Sequence, residues 1–177
     1  MVDVVWLYDQ ATGQEVTRRG HTASVSITRP ADTAAYAAND VIGAATGSTA
    51  AQEFTYVGLA GNNISITGVE LEVDAAALIA SEAAYTLHLY SSTPASAYGD
   101  NVAWDLPSGD RAAYLGTISL GTPVDLGSTL YVGTNGINKQ VKLTSGSTSL
   151  FAYVLTAAGY TPTSARVYKI TIHTVDL

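Results

Sequence analysis

Apolar and polar residues alternate with a period of two through most of this chain, and that alternation limits it to strands with one face in a core. Val25 and Ile27 alternate with Ser24, Ser26 and Thr28; Ile64 and Ile66 with Ser65 and Thr67; Val69, Leu71 and Val73 with Glu70, Glu72 and Asp74. Tyr85, Leu87 and Leu89 alternate with Thr86, His88 and Tyr90, and Tyr168, Ile170 and Ile172 with Lys169, Thr171 and His173. A strand turns successive side chains to opposite faces, so each run predicts one buried and one wet face. By this pattern His88 and His173 point outward. Val25, Ile27, Ile64, Ile66, Leu71, Val73, Leu87, Leu89, Leu130, Val132, Leu155, Ile170 and Ile172 form the predicted core. Ile64 and Ile66 lie on even positions and Val69, Leu71 and Val73 on odd ones, with Gly68 between. Both sets can face inward only if the strand carries a bulge or corner near Gly68.

Turn-forming residues separate the runs. Asn135-Gly136 is the sharpest hairpin signal, because both residues tolerate positive φ; it predicts a hairpin joining residues 129–134 to 137–143. The stretch 150–156, LFAYVLT, is apolar on both sides and reads as a central strand. The only helical candidate is 74–84, DAAALIASEAA, which also fits an Ala-rich loop. The count is about nine to ten strands with short connections. This predicts an all-β protein, an antiparallel β-sandwich. Residues 1–22 form an N-terminal arm or first hairpin, and residues 23–177 the sandwich domain.

The chain has 177 residues, no cysteine, and only 13% Asp, Glu, Lys and Arg. Disulfides and thiolate metal sites are excluded. A surface so poor in charge must be covered by Ser, Thr, Gly, Ala and Asn, which suits packing against other subunits. The net charge is −7, and it is unevenly placed. No Lys or Arg lies between Arg29 and Arg111, an interval that holds ten acids. Nucleic-acid binding needs clustered cations, so nucleic acid is not an expected partner. The asymmetry reads either as chance in a charge-poor chain or as an acidic and a less acidic pole. The start MVDVVWLYDQ lacks the pattern of a secretory signal, and no apolar run is long enough for a membrane span, so no membrane partner is expected.

No catalytic motif is legible. The three histidines, His21, His88 and His173, are scattered, and there is no Gly-x-Ser-x-Gly elbow. Glu70, Glu72 and Asp74 share one strand face, giving a linear acidic stripe rather than two carboxylates across a cleft. The sequence therefore predicts no enzyme activity, no catalytic residue, no metal and no cofactor. Two groups remain as candidate binding residues. Trp6, Tyr8, Arg18 and Arg19 lie in the N-terminal segment, and Trp and Arg are favoured interface anchors. Tyr98 and Trp104 lie in the longest irregular stretch, residues 91–113, either as a sugar-stacking ligand loop or with Trp104 plugging the end of the core.

Three segments carry a resemblance: SVSITRPADTAAYAANDVIG at 24–43, LHLYSSTPASAYGDNVAWDLPSGDRAAYLGTISLG at 87–121, and DLGSTLYVGTNGINKQVKL at 125–143. They resemble small all-β virion structural proteins of tailed bacteriophages, of the capsid decoration (cement) or head–tail accessory type. The resemblance implies a jelly-roll sandwich located in the virion and assembled in the host cytoplasm. It implies the major capsid protein or other virion subunits as partners, and a homo-oligomer, with a trimer favoured. Within that class the expectation is a decoration protein stabilising the head exterior. The alternatives are a neck, tail or fibre-base component, or a carbohydrate-binding attachment module.

Overall fold

The computed structural model describes residues 5–8 and 15–177, with side chains from residue 19 onward. Twelve strands are present and no helix occurs among the described residues. A short antiparallel hairpin of β1 (Val5–Tyr8) and β2 (Glu15–Arg18) forms its own two-stranded sheet. The body is two antiparallel sheets. One contains β3 (Gly20–Thr28), β12 (Val167–Asp176), β6 (Asn63–Asp74), β10 (Thr129–Lys142) and β9 (Val124–Asp125), in that spatial order. The other runs β4 (Val41–Ile42), β11 (Leu150–Thr156), β7 (Tyr85–Tyr90), β8 (Tyr114–Gly121), and β5 (Gln52–Phe54) also pairs with β11.

The topology becomes simple when β4 and β5 are taken as two halves of one strand and β9 as a short edge addition. Eight strand positions remain. The first pairs with the eighth, the second with the seventh, the third with the sixth and the fourth with the fifth. One sheet is then ordered 1-8-3-6 and the other 2-7-4-5. This is a long hairpin rolled on itself, the jelly roll.

The alternation places the core as the sequence implies. Ile27, Ile64, Ile66, Leu71, Val73, Leu87, Leu89, Leu130, Leu155, Ile170 and Ile172 are buried, while Val25 and Val132 are half-buried at the margin. The parity change in β6 is real. His173 pairs with Gly68 and Thr174 with Ile66, so Thr67 is the extra residue of a bulge. Ile64 and Ile66 on one side of it and Val69, Leu71 and Val73 on the other are all fully buried. The segment 74–84 holds no helix: Asp74 ends β6 and residues 75–84 are a loop.

The expected hairpin at Asn135-Gly136 is not one. β10 continues through it to Lys142, paired with β6 on both sides. Asn135 pairs with Gly68 and Lys139 with Ile66, so the intervening residues bulge out opposite the bulge in β6. Gly136 at φ 71° and Asn138 at φ 49° supply the positive φ. The residues that permit a tight turn equally permit a wide bulge, and two facing bulges bend the two strands together.

Because Leu71 and Leu89 are fully buried in this core, truncating either to Ala is expected to cost about 2–5 kcal/mol. Chemical denaturation followed by far-ultraviolet circular dichroism measures this; variants with the parent's midpoint would show the register to be wrong.

Candidate functional site

The 23-residue connection between β7 and β8, residues 91–113, is the least regular part of the sandwich and the part that most reshapes its surface. It leaves Tyr90 and runs along the free edge of β4. There it pairs: Val41 N–H donates to Val102 O at 2.9 Å, Asn101 N–H to Val41 O at 2.9 Å and Trp104 N–H to Asn39 O at 3.1 Å. It then returns over the outer face of the β4-β11-β7-β8 sheet. That face would otherwise meet water, and its composition shows that it does not. Val41, Tyr90, Tyr153 and Leu155 are buried there, with Trp104, Leu106, Tyr114 and Phe151 packed against them. The segment is a strap closing a second, thinner apolar layer.

Tyr98 and Trp104 belong to this layer, and both are half-buried. Trp104 Nε1 donates to Tyr90 Oη at 3.1 Å, and its ring lies 4.0 Å from that of His88. Tyr98 Oη donates to the Asp105 carbonyl at 2.9 Å and its ring meets Tyr153 edge-on. Trp104 thus covers the outside of a sheet and does not plug an end of the main core.

His88 follows the alternation but does not meet water. It does point outward from β7, but the strap covers it, leaving it 8% exposed. Its Nδ1 is 3.1 Å from Tyr114 Oη. Burial lowers its pKa to about 4. His173 remains half-exposed on the other sheet, with Nδ1 3.2 Å from Thr22 Oγ1 and Nε2 3.5 Å from Glu70. The acidic stripe on that face is partly neutralised, since Lys169 Nζ lies 2.6 Å from Glu72.

Two buried arginines that the sequence alone did not mark hold the far end of the sandwich. Arg29 follows β3 and donates through Nη2 to Asp100 Oδ2 at 3.0 Å and to Asp32 Oδ1 at 2.9 Å. Asp100 lies in the strap. Its Oδ1 accepts from Tyr36 Oη at 2.5 Å and Gly43 N–H at 3.0 Å. Burial opposes the charge on Arg29, but the hydrogen bond to Tyr36 and the charge of Asp100 outweigh it and hold the guanidinium above its ordinary pKa. Burial, together with Asp100, pushes Tyr36 up. The second pair is Arg166 Nη1 to Glu82 Oε2 at 3.0 Å. Glu82 also accepts from Tyr85, which leads through Tyr160 at 3.1 Å to Tyr168 at 2.9 Å, a chain of hydroxyls between the sheets.

Of the N-terminal candidates, Trp6 and Tyr8 fall in β1 and Arg18 in β2, and their side chains lie outside the described residues. Arg19 is exposed, and its carbonyl accepts from Asp176 N–H at 2.9 Å. No group of three or more potential metal-ligating side chains occurs among the described residues. No helix among them is long and apolar enough to cross a membrane.

No family model matches the sequence, and no curated protein matches it. Solved structures to which the chain is similar come from virus particles. A chain of the cyanophage Pam1 capsid asymmetric unit is 20% identical, with 90% of this chain and 84% of that chain covered and a TM-score of 0.35. A chain of turnip yellow mosaic virus is 10% identical over 100% of this chain and 90% of that one, TM-score 0.30. A chain of the native virion of Kashmir bee virus at acidic pH is 14% identical over 88% and 71%, TM-score 0.30.

Two outcomes test the strap. Gly99 has no room for a side chain: a Cβ there would lie 2.4 Å from the Gly47 carbonyl oxygen and 2.6 Å from that of Thr46. Gly99→Ala is therefore expected to lift the strap, raising Trp104 solvent exposure in fluorescence quenching and lowering the melting temperature. His88 titrates near 6.5 when unfolded and near 4 when folded. Between those values the unfolded chain binds more protons, so stability falls as pH falls through the window. The loss approaches about 3 kcal/mol at its acid end. His88→Gln should flatten that part of the stability–pH curve; an unchanged slope would show that His88 is not shielded.

Proposed function

We propose that the protein is a structural subunit of a virion, a decoration protein on the exterior of a bacteriophage head. The observation that carries this reading is the strand order itself: a closed jelly roll, an architecture used in viral capsid domains, whose longest loop is spent on covering its own sheet. With residues 91–113 committed to packing, the molecule is built to be rigid. A rigid body bridging two shell subunits resists their separation by its binding free energy, because it binds the assembled state and not the dissociated one. The low charge and the resemblance of residues 24–43, 87–121 and 125–143 to small phage virion proteins support the same reading. Its partners are the major capsid protein and further copies of itself, with a trimer as the favoured unit.

The β1-β2 hairpin supplies the anchor in this reading. It forms a sheet separate from the two of the sandwich, and it carries Trp6, Tyr8 and Arg18, with Arg19 at its exit. Trp fills apolar pockets, and Arg pairs in fork geometry with carboxylates on a partner.

Removing residues 1–18 leaves the Arg19 carbonyl contact with Asp176 intact. The truncated protein is expected to melt like the parent but to lose binding to heads that lack the protein, measured by co-sedimentation. Full occupancy by the truncated protein would exclude the hairpin as anchor. The copy number per particle tests the position: a count scaling with the number of shell subunits means decoration, and a count set by a single vertex means neck or tail. Binding of a glycan array by the isolated protein would favour the attachment module instead.

A further inference from the structure

An open sheet ends in two strands whose outer N–H and C=O groups lack a neighbour, and an unguarded edge of this kind pairs with another chain. This protein guards its edges unevenly. β9 is two residues long and β5 three. β4 is paired along its outer side by the strap, through Val102 O and Asn101 N–H on Val41. β8 is irregular at both ends, with Gly116 and Gly121 at φ 89° and 79°. The Thr134 hydroxyl of β10 donates to the Ser119 carbonyl of β8 at 3.2 Å, and Lys139 Nζ lies against Gly116. Short length, bulges, lysine and a covering segment are the devices that keep edges from pairing.

β3 has none of them. It is nine residues long, GHTASVSIT, without Pro, Lys, Arg, Asp or Glu, and it pairs with β12 in unbroken register from Gly20 to Thr28. Its other side has no strand. Arg29 N–H donates to Arg166 O at 3.0 Å and Asp176 N–H to Arg19 O at 2.9 Å. These bonds set the phase of the ladder. Odd-numbered residues turn their backbone groups to β12, and Gly20, Thr22, Ser24, Ser26 and Thr28 turn theirs outward. All five are exposed, and their outward backbone groups have no hydrogen-bond partner among the described residues. On the inner face, Val25 packs on the core but stays half-exposed at its margin.

We propose that this edge of β3 pairs antiparallel with the β3 edge of a second copy of the chain, about a two-fold axis at Ser24. Outward groups must meet outward groups, so even-numbered residues face even-numbered residues. With Ser24 opposite Ser24 of the other copy, Thr22 falls opposite Ser26 and Gly20 opposite Thr28. This register uses the whole strand and forms about ten hydrogen bonds, two for each bonded pair. Hydroxyl side chains face one another on the outer surface, where the strand brings no charge against its like. On the inner face Val25 falls opposite Ala23 of the other copy, which covers the apolar surface that a single chain leaves half-exposed. Arg19 falls opposite Arg29, whose charge is already met by Asp32 and Asp100. No other edge among the described residues is long, regular and open, so the strand that fits is the same strand of another copy. The five-stranded sheets of the two copies then run on as one sheet across the axis, an isologous contact. The two Gly20 residues lie about 27 Å apart, at opposite ends of the paired edge, so the β1-β2 hairpins leave from opposite ends of the pair. The pairing is a property of the isolated chain and holds whether or not the virion reading does.

Light scattering of the purified full chain over a concentration series reads the mass. The 18.3 kDa chain is expected to reach twice its own mass. Ser24→Lys sets two lysines against each other at the axis and should weaken association by about tenfold or more. Ser24→Pro removes an N–H that β12 does not use, and should do the same. Because Ser24 is exposed, both variants should keep the parent's far-ultraviolet circular dichroism. The chain has no cysteine, so introduced thiols report the register. Ser24→Cys should cross-link to itself under mild oxidation, since residues bonded in this way lie about 5.5 Å apart at Cα, within disulfide reach. Thr22→Cys and Ser26→Cys should each fail to cross-link alone and should form a disulfide when mixed. A parent that stays monomeric at its highest soluble concentration overturns the proposal. So does a mass of three chains that Ser24→Lys leaves unchanged, or a mixture that cross-links no faster than its components alone.

Discussion

The arrangement depends most on the ion pair between Arg29 and Asp100, 3.0 Å apart with both side chains essentially out of solvent. It joins the end of the first sandwich strand to the middle of the strap. Two charges taken out of water are costly unless their remaining hydrogen-bonding groups are also satisfied. Here they are: Arg29 reaches Tyr36, Asp32 and the Thr163 carbonyl as well, and Asp100 takes Tyr36 and Gly43. The pair is therefore less a source of net stability than a condition of geometry. Removing one partner strands the other, a penalty of about 3–5 kcal/mol for pairs of this type. With Asp100 fixed, the following residues lie along β4, and the chain after Trp104 can return only across the outer sheet face.

That face decides how the two sheets differ. The sheet of β3, β12, β6 and β10 presents Ser24, Glu70, Lys169 and Glu72 to solvent, with the Ser24 hydroxyl bonded across to that of buried Thr171 and a surface ion pair worth little by itself. The other sheet presents no such face, because Trp104, Tyr98 and Tyr114 lie over it. One side of the molecule is bare β-sheet and the other is a buttressed wall.

Much of this is legible in the residues. The parity switch around Gly68 locates a bulge, since leaving either Ile64 and Ile66 or Val69, Leu71 and Val73 in water would forfeit several buried side chains. Asn135-Gly136 misleads for a definite reason: positive φ is required by a tight turn and by a bulge alike, and only the facing bulge in β6 selects between them. The strap had a signal as well. Residues 150–156 are apolar on both faces, which fits a central strand, but it also means that the outer face must be covered. Phe151, Tyr153 and Leu155 belong to that second face. Arg29 and Arg166 left no local trace. Their partners, Asp100 and Glu82, lie 71 and 84 positions away, and pairing over such distances is decided by the fold and not by neighbours in sequence.

The rolled topology also dictates when the molecule can come into being. β3, the first strand of the sandwich, has β12, the last, as its strand partner, with Gly20 opposite Val175. β6 likewise needs β12 on one side and β10 on the other. A chain emerging from the ribosome therefore holds its early strands unpaired until nearly the whole sequence is free. Such non-local closure is slow, and it leaves apolar strand edges open to neighbouring nascent chains meanwhile. Synthesis of this protein in quantity consequently places its burden on the interval before the final strand arrives.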